Sequence, residues 1–346
     1  MNIYNRATIK EVAKTAGVST QTVSRVINDR PDVSPETRER VQQIISDLNY
    51  QPNALARSLI QQRSYTLGVV TAGLQYLGPS RTLNGITSMA GQLKYALLIE
   101  KQPHFDIEDI KPLLQNLLSH HVDGIVWAVP EISDNRHWVD EILQDVPVPV
   151  VYLTMQARPG VTTISVDNYA GGVLATSHLL EQGCRHIGHI SGPLEWWEAR
   201  QRRQAWQETL CEAGIKIKDS DWQEGNWSSS SGEIAFEQLL ESYPQMDAVF
   251  AANDQMALAV MHIAMRRGIR VPEDLAVVGY DNFAESAYFW PSLSTINYNH
   301  NELGCRAVQE VVKQVEAGYR KEQVEPQTIL LLPDLVLRGS SMRNKA

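Results

Sequence analysis

The 346-residue sequence predicts two architectures in one chain: an all-α helix-turn-helix head, then an α/β body of two parallel-sheet subdomains. Three observations carry this reading. Residues 8–48 show only the three-to-four-residue apolar recurrence of helices, broken by a glycine and by a Ser-Pro step. From residue 65 onward, short apolar runs alternate with amphipathic stretches. Charge divides near the same place: residues 1–63 hold nine Lys/Arg against six Asp/Glu, and the remainder 22 against 34.

Composition narrows the class. Hydrophobic residues at 43% and charged residues at 21% are ordinary for a globular chain. The length exceeds a single core, so two or three domains are expected. No run reaches the roughly 18 apolar residues of a membrane span. The start, MNIYNRATIKEVAKTAGV, lacks the apolar centre of a secretory signal, which predicts a cytoplasmic protein. Cys184, Cys211 and Cys305 are odd in number and far apart, so neither a disulfide framework nor a metal site is expected, and no cofactor. Within residues 1–28 Glu11 is the only acid, against Arg6, Lys10, Lys14 and Arg25. A basic head on an acidic body points to a polyanion met by the head alone.

The head reads as three short helices. Thr8-Ile9-Lys10-Glu11 is a capping box in which threonine takes an orphan amide and glutamate reaches back. Ile9, Val12, Ala13 and Ala16 recur at helical spacing up to Gly17, a residue suited to a left-handed helix end. Ser19 caps a second helix with Val23, Val26 and Ile27 inward. Ser34-Pro35-Glu36 opens a third, with Val41, Ile44, Ile45 and Leu48 on one face. Two helices across a tight glycine turn have helix-turn-helix spacing, and the second would enter the major groove. Thr20, Gln21, Ser24 and Arg25 then reach base edges, with Gln suited to adenine and Arg to guanine. Thr8, Ser19, Thr22 and Asn28 are placed to bond phosphates. The competing reading is a three-helix module that binds protein.

The body reads as strands at Thr66–Val70, Tyr95–Ile99, Gly124–Val129, Val148–Leu153, Ile187–Ser191, Ala248–Ala252 and Leu275–Gly279. Helices fall at Ile107–Leu118, Ala170–Glu181, Glu198–Glu212, Gly232–Leu240 and Gln255–Arg266. Strand–helix–strand repetition implies parallel sheets with right-handed crossovers. Ligands of such sheets sit at the carboxyl ends of the strands. The polar residues just after each strand are therefore the candidates.

Residues 8–28, TIKEVAKTAGVSTQTVSRVIN, closely resemble the head of the lactose repressor/galactose repressor family. Val33–Glu39 and Leu48–Arg57 continue the resemblance, which spans essentially the whole chain. It implies a periplasmic-binding-protein-like body. It also implies a head at 1–49, a hinge helix and linker at 50–64, a body at 65–340 and a tail at 341–346. The first lobe would hold about 65–166 and 297–326, and the second about 167–296 and 327–340. Through the resemblance Asn53, Ala56 and Leu59 of the hinge meet DNA, with Leu59 as the wedge that kinks the minor groove. Val336–Ser340 resembles the family's final strand. The few residues after it leave no tetramerising tail, so a dimer is expected.

The resemblance also points to a sugar site. Ala252–Leu258 and Val277–Asp281 match the family's sugar-contact segments, and Gly225–Ser228 its tryptophan loop. Arg202, Asn253 and Asp281 would then hold ring hydroxyls, and Trp227 would stack. Trp196, Trp197, Thr154, Ala72 and His300 complete the candidates. Each has a structural alternative: Asn253 as a helix cap, Asp281 as a turn residue, Trp227 as core, and Arg202 as a helical partner of Glu198. Ala205 stands where the family has glycine, and Glu195–Glu198 where the lactose repressor has small residues. The pocket is therefore expected to be reshaped, with β-galactosides or β-glucosides weakly favoured. Nucleophile elbow, phosphate loop and dinucleotide fingerprint are all absent, so no enzyme is expected. The expected function is a sugar-released dimeric repressor on a near-palindromic operator. A purine- or phosphometabolite-responsive regulator is the alternative, and a solute-binding protein or a sugar-modifying enzyme the rival of another class.

Overall fold

The computed structural model describes residues 7–27, 29–50, 63–102, 105, 109–132, 135, 137–138 and 145–343. It divides into two compact units, Met1–Tyr65 and Thr66–Ala346.

In the first unit, α1 (Ile9–Ala16), α2 (Thr20–Ile27) and α3 (Pro35–Asp47) enclose Val12, Ala13, Ala16, Val23, Val26 and Val41. The capping box is formed: Thr8 N donates to the Glu11 carboxylate at 2.7 Å and Glu11 N to Thr8 Oγ1 at 3.3 Å. Gly17 ends α1 at φ 64°, a conformation costly for any residue with a Cβ. Asn28 and the hinge candidates Asn53, Ala56 and Leu59 lie outside the described residues.

The second unit holds two six-stranded sheets. The first contains β1 (Thr66–Thr71), β2 (Ala96–Lys101), β3 (Gly124–Ala128), β4 (Val150–Leu153), β5 (Thr162–Val166) and β11 (Thr328–Leu331), ordered β11-β5-β4-β3-β1-β2. The second contains β6 (Ile187–Ser191), β7 (Trp222–Glu224), β8 (Ala248–Ala251), β9 (Ala276–Tyr280), β10 (Ser294–Asn297) and β12 (Asp334–Val336), ordered β12-β10-β9-β8-β6-β7. Among the described strands, pairings are parallel except β10 with β12. Parallel strands are buried on both faces, and β8 shows why its run is wholly apolar. Ala248 and Phe250 face one core cluster, and Val249 and Ala251 the other.

The chain passes between the sheets three times: from β5 into α6 (Asn168–Glu181), from β10 into α10 (His300–Arg320), and from β11 to β12. Helix α10 packs on β3, β4 and β5 and against α4 (Leu77–Gln92). That helix pair meets backbone to backbone. A Cβ on Gly85 would lie 2.1 Å from the Asn301 carbonyl oxygen, and one on Gly304 2.1 Å from that of Thr82.

Several expectations need correction. The segment from 327 was assigned to the second lobe, but Thr328–Leu331 pairs with β5 of the first sheet. The final strand is Asp334–Val336 rather than Val336–Ser340; beyond it Arg338 N donates to Ser294 Oγ of β10, and Ser340 bonds Val277 of β9 through both its hydroxyl and its carbonyl oxygen. The helix expected from Ile107 is α5 (Lys111–Ser119), with the Asp109 carboxylate accepting from Lys111 N. Helices α4 and α10 and strands β5, β7, β10 and β11 escaped the periodicity reading.

Candidate functional site

In the body, the carboxyl ends of both sheets border an open space of about 500 Å³. Tyr76, Gly78 and Pro79 line it from the first lobe, and Trp196, Glu198, Arg202, Trp227, Asn253 and Asp281 from the second. Tyr298 and His300, on the crossing into α10, close one side. A second compartment of about 440 Å³ shares Trp196, Glu198, Tyr298 and His300 and adds Ala128, Pro130, Leu153, Thr154 and Leu303.

Arg202 comes from α7 (Trp197–Glu212), one turn beyond the loop after β6. It is only 4% exposed. Its Nε donates to Asn168 Oδ1 at 2.9 Å and its Nη1 to the Ala252 carbonyl. The guanidinium lies 3.6 Å from the Tyr280 ring centre and 3.9 Å from Asp281 Oδ1. Its ion pair is thus Asp281, not Glu198.

Asp281 follows β9 at φ 101°, a strained setting for a residue with a Cβ that turns its carboxylate into the cleft. Burial pushes its carboxyl up to about 7, while Arg202 pulls the other way. His300 Nε2 stands 3.9 Å from it. Burial drives the imidazole down to about 3, so at neutral pH this contact is not an ion pair.

Asn253 serves two functions. Its Oδ1 accepts from Met256 N at 2.9 Å, capping α9 (Asp254–Arg266), and its Nδ2 donates to the Trp227 carbonyl at 2.8 Å. The cap reading and the cleft position therefore hold together. Neighbouring Asp254 faces inward and accepts from Phe283 N, Ser286 Oγ and Thr295 Oγ1, holding the loop after Asp281.

Among the described residues, three polar atoms of cleft-lining side chains are buried without a partner: Trp227 Nε1, Glu198 Oε2 and His300 Nε2. Such atoms cost about 1–3 kcal/mol each, so a donor, an acceptor and an imidazole nitrogen await a ligand's polar groups. Glu198 is 9% exposed, and burial raises its carboxyl to about 7. Trp196 stands edge-on to Tyr76, Phe105 and Trp227, with ring centres 5.7, 5.0 and 5.8 Å away. Its backbone bridges Ile132, and Trp197 N donates to the Glu131 carbonyl at 3.1 Å, so this loop spans the two lobes.

The cleft therefore gathers Arg202, Asn253, Asp281, Trp227, Trp196, Thr154 and His300. It leaves out two candidates. Ala72 is fully buried in the first lobe's core, because β1 runs to Thr71 and carries it inward. Trp197 is half-buried and lines neither compartment. Sequence reasoning missed Tyr76, Glu198, Phe283 and Tyr298 as lining residues. A usable signal lay beside Tyr298: Asn299 three residues before Glu302 marks a helix start, and it caps α10 by accepting from Glu302 N.

In the head, Ser19, Thr20, Gln21 and Arg25 are exposed along the start and outer face of α2. Thr8 and Ser19 spend their hydroxyls on caps, Ser19 Oγ accepting from Thr22 N at 3.1 Å. Arg25 pairs with Asp32 at 3.3 Å, both about half exposed, so the pair is weak and the guanidinium can be redirected.

A helix-turn-helix head joined to a two-lobed body with a polar cleft defines a DNA-binding regulator with an effector domain. Residues 8–53 match the bacterial regulatory proteins of the lacI family, and residues 176–341 the periplasmic binding protein-like domain. The chain is 33% identical over 336 residues to the HTH-type transcriptional repressor PurR of Pasteurella multocida, covering 96% of this chain and 98% of the relative. The lac repressor dimer bound to operator and the anti-inducer ONPF superposes with TM-score 0.85 at 32% identity, covering 98% of this chain and all of that one. The regulator CelR in complex with cellobiose gives TM-score 0.72 at 30% identity, covering 97% and 100%. The chain belongs to the lacI family of DNA-binding transcriptional repressors. These relatives are regulators, not enzymes.

Proposed function

We propose that the protein is a dimeric repressor of a carbohydrate catabolic operon, released from a near-palindromic operator by a neutral saccharide. The observation that carries the saccharide is the cleft's pairing of planar polar groups with aromatic faces. Arg202, Asp281 and Asn253 suit neighbouring hydroxyls, and Trp227 and Trp196 suit the apolar side of a sugar ring. Unpartnered Trp227 Nε1 and Glu198 Oε2 add a donor and an acceptor. A β-glucoside or β-galactoside is the preferred class.

The PurR relative favours a second reading, a purine effector. A flat base asks for parallel aromatic walls, whereas Trp196 and Trp227 meet at 74°. That supports the saccharide over the base. The dimer is supported by exposed Tyr288 and Trp290, at 87% and 90%, apolar surface of the kind a partner covers. A two-fold pair of heads matches operator symmetry. A chromosome-binding regulator works in the cytoplasm.

The test is a thermal-shift screen against saccharides, sugar phosphates and purines, followed by anisotropy on operator DNA. A ligand at one hundred times its Kd adds about 2.7 kcal/mol, a readable shift. Saccharide-specific shifts with loss of DNA binding are expected. Shifts confined to purines or phosphates overturn the saccharide.

A further inference from the structure

We infer that Glu198 is a second specificity anchor, reading a hydroxyl on the part of the effector that lies beyond the Arg202–Asp281 pair. The effector is then a saccharide of at least two units. This rests on the saccharide reading above.

Glu198 lies one helical turn before Arg202 on α7, yet the two are not joined. The Arg202 guanidinium is taken by Asn168, the Ala252 carbonyl, the Tyr280 ring and Asp281. Arg200 is turned to the Leu194 and Glu195 carbonyls and to Glu131. Among the described residues, none gives Glu198 Oε2 a hydrogen bond, and it is buried. A carboxylate oxygen removed from water and unpartnered is costly, and a ligand donor relieves that cost.

Position identifies the donor's place in the ligand. Glu198 and Trp196 line both compartments and so stand at their junction. A single pyranose seated on Arg202 and Asp281 leaves the second compartment without an occupant. That compartment is walled by Pro79, Ala128, Pro130, Leu153 and Leu303, with Glu198 its one acidic group. Apolar walls interrupted by Thr82, Thr154 and His300, with Glu198 as the one carboxylate, suit a second pyranose: its C–H face meets the walls and one hydroxyl donates to Glu198. An aryl substituent would fill the same walls but leave Oε2 unpaired.

The test is calorimetric titration of the full chain, wild type, Glu198→Ala and Glu198→Gln. The ligands are methyl β-glucoside, phenyl β-glucoside and cellobiose, and in parallel methyl β-galactoside, phenyl β-galactoside and lactose. In one series the disaccharide should bind wild type at least about tenfold tighter than either simple glycoside, the factor a hydrogen bond to a charged acceptor supplies. Glu198→Ala should collapse that ratio to below about threefold. Glu198→Gln, whose amide oxygen still accepts but carries no charge, should give a ratio between those of wild type and Glu198→Ala. Equal affinity for phenyl glycoside and disaccharide overturns the inference. So does a ratio that survives Glu198→Ala, the result if the residue is merely structural and all ligands weaken together. If the simple glycosides bind and only the ratio fails, the saccharide reading stands without this anchor. If neither series binds and a purine does, the saccharide reading falls and takes this inference with it.

Discussion

Replacing Arg202 by alanine removes the cation that faces Asp281 and two hydrogen bonds tying α6 and β8 to α7. Removing one partner of a buried pair costs about 3–5 kcal/mol when the other stays charged. In a unit of this size that lowers the melting temperature by roughly 6–15 °C. Asp281 has a partial escape, because its carboxyl already sits at about 7 and without Arg202 rises further. Above its ordinary value of 3.8 and below the raised one, the folded state then holds a proton that the unfolded state has lost. Stability accordingly falls as pH rises through that window. The deficit of Arg202→Ala relative to wild type should therefore be smaller at pH 6 than at pH 8. Adding Asp281→Asn removes the stranded charge and should restore part of the loss. The assay is scanning fluorimetry of wild type, both single variants and the double variant at the two pH values. A deficit independent of pH, or a double variant showing the full sum of both losses, would refute the pairing argument. The same variant reports on effector response only once its folding has been checked, because this side chain both braces the lobe and lines the cleft.

Glu198→Gln should raise the melting temperature of the ligand-free protein at pH 8. The carboxyl lies at about 7 against an ordinary 4.5, a destabilisation on the order of 3 kcal/mol that is complete above the raised value and absent below the ordinary one. A lower melting temperature for Glu198→Gln at pH 8 would contradict this. Gln21→Ala and Arg25→Ala should weaken operator binding in anisotropy titrations while leaving effector titrations unchanged, since both side chains are exposed on the head. Parallel loss of both activities would show that the division of labour is wrong. Gly304→Ala should destabilise the protein by about 1–3 kcal/mol or more, because the added Cβ lands on the Thr82 carbonyl. A neutral outcome in chemical denaturation would show that α4 and α10 can part.

The head was legible almost residue by residue because its signals are local. The capping box at Thr8–Glu11, the left-handed Gly17 and the three-to-four-residue apolar spacing all act within one turn. In the body, the strands at 66, 124, 187, 248 and 276 stood out as buried apolar runs. Strand β10 did not, since Ser294, Thr295 and Asn297 are polar, and β11 went unread although residues 329–332 are apolar, because so short a run at a sheet edge is not distinguished from a loop. Helix α10 carries an apolar stripe, but the strand before it is mostly polar and the charged stretch 320–325 separates it from the apolar strand after it. The site divides along the same line. Asn253 and Asp281 follow obvious strands, whereas Tyr298 follows one that sequence pattern does not disclose. Glu198 was visible as a helical neighbour of Arg202 and as part of a departure from the family's pattern, not as a ligand contact. That its acceptor is orphaned depends on where Arg202, Arg200 and Asp281 go, which is information of the tertiary fold.

The three crossings between the sheets also bear on how the protein is made. Helix α10 covers β3, β4 and β5, and β11 pairs beside β5, yet both are synthesised after nearly all of the second lobe. The first lobe thus emerges from the ribosome with an apolar face bare and a strand edge open. It must wait for well over a hundred further residues before either is covered. The second lobe, whose central strands β6 to β10 are contiguous, can assemble first. Both lobes are completed only by the last residues of the chain, β11 in the first and β12 in the second, so truncation cannot yield a complete first lobe. Separate production of the lobes calls for a circular permutant that rejoins α10 and β11 to β5.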